Sequence, residues 1–200
     1  MKLFFWVLFT FLCGSFPTAY FTARVLRGID IRRYGSGNSG ATNAFRVLGK
    51  GPGTFVFAVD FLKGTFPVAL YSIFGAAPDG FAVPEIAVWV GFAGMLGHIF
   101  TPFLGFRGGK GIATGAGVLC GSFPHIFLIV IAVWILVFCL TRIVSISSLL
   151  ALVALVLASA WLKVPASVLG LFILVLLLGI WTHRLNILRL LKAEEDKLRK

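Results

Sequence analysis

Long apolar runs separated by short polar segments dominate the chain, and those runs set its elements. They lie near residues 3–23, 54–75, 83–104, 112–123, 125–141, 146–162 and 165–183. Most approach the roughly 20 residues that a helix needs to cross a bilayer, so the pattern predicts an all-α polytopic membrane protein. The fourth run is the exception. A dozen helical residues cover only about 18 Å, and Pro124 separates this run from the fifth.

The charges settle how that fourth run is counted. Arg24, Arg27, Arg32, Arg33, Arg46 and Lys50 lie between runs one and two, Arg107 and Lys110 between three and four, and Arg142 between five and six. Arg184, Arg189, Lys192, Lys197, Arg199 and Lys200 form the tail, which leaves only Lys2, Lys63 and Lys163 of the 18 cations elsewhere. Seven transmembrane helices put all four basic segments on one face, which the positive-inside rule makes cytoplasmic. Six would exile the tail. The expectation is therefore seven spans, N-terminus outside and C-terminus cytoplasmic, with the fourth span tilted or lying where the bilayer is thinned.

Composition agrees with this reading. The 200 residues are 59% hydrophobic and 12% charged, with mean hydropathy +1.01, against about 25% charged in soluble domains. No internal repeat stands out, so residues 1–200 are expected to form a single integral-membrane domain. The net charge of +11 follows from the inner segments and the tail; there is no basic stripe on a soluble module, and nucleic acid is not an expected partner. Cys13, Cys120 and Cys139 fall in apolar runs without a CxxC and read as small buried hydrophobes. The N-terminal run follows a single Lys2 and precedes no A-x-A-like cleavage site, so it reads as a retained span rather than a cleaved signal.

Chemistry is concentrated on the predicted inner face. The segment "YGSGNSGATNAFR", Tyr34 to Arg46, is dense enough in Gly, Ser and Asn to form turns whose successive N–H groups hold an anion. Ser36, Asn38, Thr42 and Asn43 add neutral donors and Arg46 a planar fork; the competing reading is a flexible polar linker. In "DFLKG", Asp60 and Lys63 stand at i, i+3 inside the second run and read as a self-neutralising pair that orients the site without touching substrate.

The third segment, "GHIFTPFLGFRGGKGIAT", carries a glycine loop into a helix start, where free N–H groups and the dipole favour an anion. Lys110 supplies a mobile charge and Arg107 a fork. Leu104 stands where a Walker A loop needs its first Gly, and Gly111 where it needs Ser or Thr, so nucleotide hydrolysis is not expected. His98 reads as a histidine satisfied within the bundle, with a ligand or base role as the alternative. In the fourth, "WTHRLNILRLL", His183, Asn186 and Arg189 recur every three residues; an interfacial helix end with snorkelling arginines is the rival account. Ser145, Ser147 and Ser148 follow the neighbouring inner turn.

Several mechanisms find no residues to carry them. There is no G-x-S-x-G elbow, no Cys beside a His in the polar segments, and no HxxxxD pair. The inner segments hold no carboxylate cluster for Mg²⁺, so neither metal nor cofactor is expected. A cationic, donor-rich site remains, suited to transfers in which phosphate is already a good leaving group. A transporter of a phosphorylated solute is the alternative, but such sites sit near the midplane of inverted repeats, and the polar residues here cluster at one face.

In order and spacing, "GSGNSGATNAFR", "DFLKG", "GHIFTPFLGFRGGKGIAT" and "HRLNILRLL" resemble the bacterial acyl-phosphate-dependent glycerol-3-phosphate acyltransferases of the PlsY type over essentially the whole chain. Ala193 departs from the glycine expected there. The resemblance implies a multi-pass enzyme of the bacterial inner membrane with its active site on the cytoplasmic face. It implies acyl transfer from acyl phosphate to glycerol 3-phosphate without a covalent acyl-enzyme, the substrates and membrane lipid being its partners and no protein partner obligatory. By position, Ser36, Arg46 and Lys110 are implied to bind substrate phosphate, helped by the 108–111 amides, while Ser148, His183 and Asn186 line the reacting centre. Asn38, Thr42, Asn43, Arg107, Gly108, Gly109, Gly111 and Thr114 complete the candidate substrate-binding set.

Overall fold

The structure is a computed structural model that describes residues 2–195. Lys197, Arg199 and Lys200, which entered the orientation argument, lie outside the described residues, as does Asp196. The described residues form ten α-helices: α1 Lys2–Ser15, α2 Thr18–Arg27, α3 Ala41–Leu48, α4 Lys50–Phe74, α5 Val83–Ile99, α6 Ile112–Ser122, α7 Pro124–Thr141, α8 Val144–Trp161, α9 Ala166–Thr182 and α10 Arg184–Leu191. Single 3₁₀ turns occupy Ile31–Arg33 and Pro102–Leu104.

Five stretches are long and apolar enough to cross a membrane: Lys2–Arg27, Lys50–Phe74, Val83–Leu104, Pro124–Thr141 and Val144–Trp161. The pair α9 and α10, bent by 59°, makes a sixth, and α6 is a shorter apolar helix. Every apolar run in the sequence therefore carries a helix, with the fourth run the short one.

Two elements differ from the sequence expectation. The first run is broken at Phe16-Pro17, because Pro17 has no N–H to continue the ladder of α1. The second half of the polar segment 34–46 is helix α3, not an open loop. Ala44 and Leu48, one turn apart on α3, are buried with Ala19, Ala23, Ile31 and Val56. That burial stabilises an eight-residue helix too short to persist on its own propensity.

The chain divides into two compact units, the first ending at Ser122 and the second beginning at Phe123. In the first, glycines bring helices into backbone contact, the small-residue packing common in membranes. A Cβ on Gly14 of α1 would meet the Gly94 carbonyl of α5, and one on Gly97 would meet the carbonyl of Phe11. Likewise a Cβ on Gly64 of α4 would strike the Thr114 carbonyl of α6, and one on Gly117 that of Phe61. Thr65 fastens this second seam by donating its hydroxyl to the Gly117 carbonyl at 3.0 Å.

In the second unit α7 and α8 form a hairpin that turns at Arg142, whose φ is +61° and whose N–H donates to the Phe138 carbonyl at 2.8 Å. Gly179 of α9 lies against the Leu152 side chain of α8. The bend between α9 and α10 falls at His183.

Candidate active site

In the first unit, residues 30–40 are folded by two side chains. Asp30 accepts from Arg32 twice, at 3.0 Å from Nε and 2.8 Å from Nη2, and also from the Arg32 amide. The guanidinium's hydrogen bonds outweigh the opposing effect of partial burial and hold the Asp30 carboxyl down to about 2. The other arm of Arg32 donates to the Leu104 carbonyl at 3.3 Å, which straps this segment to the turn ahead of the glycine loop.

Asn43 is the second organiser. Its Oδ1 accepts the Ser36 N–H at 2.8 Å, and its Nδ2 donates to the carbonyls of Ile31 and Tyr34 at 3.2 and 3.0 Å. At 1% exposure it braces the loop from within. Ser36 and Asn38 are half-buried on that loop, while Thr42 and Arg46, one turn apart on α3, share a half-buried face. Gly35 and Gly37 take φ of +58° and +74°, as the expected turns require.

The glycine loop does run into a helix start, but its amides are not all available. The Gly108 N–H donates to the Ile99 carbonyl at 2.9 Å and that of Gly109 to the His98 carbonyl at 3.1 Å. Both are committed to the end of α5 in this structure. They are glycines for want of space: a Cβ on Gly108 would meet the His98 carbonyl, and one on Gly109 the His98 ring. Gly111 differs, with φ of +80°. The first bond of α6 runs from Gly115 N–H to the Gly111 carbonyl at 2.7 Å, so the amides of 112–114 have no partner within their own helix. Lys110 is half-buried and Arg107 exposed. Thr114 is fully buried with its carbonyl facing Gly64, a close-packed position.

Beneath the loop lies a buried polar cluster. Asp60 and Lys63 pair at 2.9 Å, as their i, i+3 spacing predicts. Asp60 also accepts the Thr18 hydroxyl at 3.0 Å, and Lys63 donates to the Phe16 carbonyl at 3.0 Å. Both partners sit at the Pro17 break, where the interrupted helix leaves backbone groups to satisfy.

The second unit gathers Ser145, Asn186 and Arg189 around one carboxylate. Glu195 accepts from Ser145 Oγ at 3.2 Å, Asn186 Nδ2 at 2.7 Å and Arg189 Nε at 2.9 Å. Burial alone raises its pKa, but the Asn186, Arg189 and Ser145 hydrogen bonds and the Arg189 charge win and bring it below the usual value. A tight turn delivers it: Ala193 N–H donates to the Leu190 carbonyl and Glu194 N–H to that of Arg189. This is a Schellman cap, and Ala193 fills its left-handed position with φ of +55°, where glycine is usual. The position that departed from glycine in sequence is thus the one that bears the strain.

His183, 2% exposed, places Nδ1 2.8 Å from the Gly179 carbonyl. A carbonyl only accepts, so Nδ1 carries a proton. Ser148, also buried, accepts from Trp134 Nε1 at 3.2 Å.

A family model described as glycerol-3-phosphate acyltransferase matches residues 4–193. The chain belongs to the glycerol-3-phosphate acyltransferase family. It is 42% identical over 194 residues to a glycerol-3-phosphate acyltransferase of Endomicrobium trichonymphae, covering 97% of this chain and 94% of the relative. A Nostoc relative of the same description is 41% identical over 203 residues, with 96% and 90% covered. Among solved structures, the glycerol 3-phosphate form of PlsY (YgiH), an integral membrane glycerol 3-phosphate acyltransferase, superposes with TM-score 0.87 at 37% identity, over 100% of this chain and 96% of that one. Its lysophosphatidic acid form gives 0.86 at 36%, with the same coverage. The protein is thus a multi-pass membrane acyltransferase of the PlsY family.

Sequence reasoning missed two residues of this acyltransferase. The spacing of the fourth segment does not single out Glu195, although a carboxylate six residues beyond Arg189 is a candidate partner for it. Trp134 is one aromatic among many in its apolar run, and only the need of an indole N–H for an acceptor could have marked it.

Proposed function

We propose that this acyltransferase takes acyl phosphate as donor and transfers the acyl group directly to glycerol 3-phosphate, giving lysophosphatidic acid and inorganic phosphate. A hydroxyl oxygen of glycerol 3-phosphate attacks the acyl carbonyl carbon, the new ester C–O bond forms, and the bond from that carbon to the phosphate oxygen breaks. The proton passes to the phosphate, which leaves with both bonding electrons. Acyl phosphate is already activated, so the protein's tasks are to orient two anions and offset charge on the leaving group.

One observation carries the reading: Lys110 stands between Gly109, fixed to α5, and Gly111, which opens α6 at φ +80°. That arrangement puts a lysine at a helix start whose first amides have no partner within their own helix, a pairing suited to phosphate. In this reading Lys110, Ser36 and Arg46 hold phosphate, with the 112–114 amides, Asn38, Thr42, Arg107 and Gly111 beside them. Ser148, His183 and Asn186 keep the role given by the resemblance, lining the reacting centre. Counting α6 as a span gives seven, N-terminus outside, with the basic segments and the site on the cytoplasmic face of a bacterial inner membrane. The distribution of Arg and Lys supports this topology.

The test uses purified protein, synthetic acyl phosphate and labelled glycerol 3-phosphate. Phosphate release with lysolipid formation is expected, and Lys110→Ala should abolish it in folded protein. Near-normal turnover by that variant overturns the assignment of Lys110. An acyl adduct on any side chain, detected by mass spectrometry, overturns direct transfer. Flux of solute into sealed vesicles without reaction favours a transporter instead.

A further inference from the structure

The glycine loop has a floor that its own sequence does not supply. Gly109 approaches the His98 ring so closely that an added Cβ would meet Nε2 and come within 2.9 Å of Cδ2 and Cε1. The carbonyl of the same histidine accepts the Gly109 N–H at 3.1 Å, so His98 holds this residue through both backbone and ring. The ring is 7% exposed, and its Nδ1 lies 3.8 Å from Asp60 Oδ1, within electrostatic reach though beyond a hydrogen bond. Asp60 is fixed in turn by Lys63 and Thr18. A continuous series of contacts thus runs from the Pro17 break through α4 and the His98 ring to the residue immediately before Lys110.

We propose that His98 is a positioning residue for the acyltransferase reaction. Its imidazole, backed by the Asp60–Lys63 pair, sets the position of Gly109 and through it the placement of Lys110 against substrate phosphate. The inference rests on the reading of Lys110 as a phosphate ligand. It makes His98 and Gly109 a size-complementary pair. A methyl on Gly109 pushes the loop off α5, and loss of the ring opens a space beneath it. Each change moves Lys110, and a misplacement of about 1 Å costs on the order of 100-fold where charge must meet charge in fixed geometry.

Complementary size gives a test that general weakening of the fold does not imitate. Gly109→Ala, His98→Ala and the double variant are purified and compared for kcat and KM with each substrate. Gly109→Ala is expected to raise KM for a phosphate-bearing substrate about 10- to 100-fold with a smaller change in kcat. His98→Ala is expected to raise it less. In the double variant the alanine methyl enters the vacated space, and KM should fall well below that of Gly109→Ala alone, a coupling that only neighbours show. Effects that multiply independently overturn the proposal. His98→Asn, which also removes the ring, takes the place of His98→Ala if that protein does not fold. Unchanged KM in both single variants, with Lys110→Ala still inactive, refutes the positioning role while leaving the phosphate reading intact. Near-normal Lys110→Ala refutes the phosphate reading itself.

Discussion

Asn43→Ala separates a brace from a substrate ligand. The wild-type amide makes three hydrogen bonds, one accepted from Ser36 N–H and two donated to Ile31 and Tyr34 carbonyls. At about 1 kcal/mol each, their joint loss removes on the order of 3 kcal/mol from the closed form of the loop. That corresponds to a rise in local opening on the order of 100-fold, confined to the segment the side chain pins. Amide exchange read by mass spectrometry measures it directly. Peptides spanning 31–40 should exchange on the order of 100-fold faster, whereas those within α5 and α6 should be unchanged. Activity should fall too, because Ser36 rides on that loop. Asn43→Asp keeps the acceptor for Ser36 but sets an acidic group against two carbonyls, so it should open the loop as well. If Asn43→Ala leaves exchange at 31–40 unchanged while KM for glycerol 3-phosphate rises, Asn43 touches substrate and the bracing argument is wrong.

Two further outcomes follow from local geometry. Ala193→Gly relieves a left-handed alanine, φ +55°; about 1 kcal/mol of strain, less roughly 0.5 of added chain entropy, leaves a gain of ~0.5 kcal/mol. Slower amide exchange over 186–195 and unchanged kcat are the expected readouts, and faster exchange refutes the cap. The Asp30 carboxyl titrates at about 2 rather than 3.8, so the stability it lends the 30–36 turn is complete above about pH 4 and is lost as pH falls toward 2. Protection of the 30–36 amides relative to the free-chain exchange rate at each pH should fall across that window in wild type, whereas in Asp30→Asn it should be low throughout and constant.

What was legible in the sequence was whatever depends on local spacing. Apolar runs gave helices because only a helix satisfies its backbone within hydrocarbon. Asp60 and Lys63 paired because i, i+3 places them on one face. The arrival of "GGKG" at a helix start was likewise local. What was hidden depends on contacts between distant residues. Helix α3 exists because Ala44 and Leu48 find Ala19, Ala23 and Val56, and no window around 41–48 contains those partners. The fate of the Gly108 and Gly109 amides is decided by carbonyls nine and eleven residues upstream. Glu195 reaches Asn186 only because the chain reverses at Ala193.

The glycines of the loop show how a motif can be read for an incomplete reason. "GGKG" suggests backbone freedom and a string of open amides, but only Gly111 takes a left-handed φ. Gly108 and Gly109 are glycines because α5 lies where their Cβ atoms would be, and their N–H groups are spent there. The loop is therefore a stiff ledge rather than a flexible nest. Stiffness suits the proposed reaction: donors aimed in advance need not reorganise when charge develops on a leaving phosphate. Alanine at 108 or 109 is then expected to harm catalysis by moving the ledge, whereas alanine at 111 harms it by straining the start of α6. Amide exchange distinguishes the two, because the first change releases the 108 and 109 amides from α5 and the second leaves them protected.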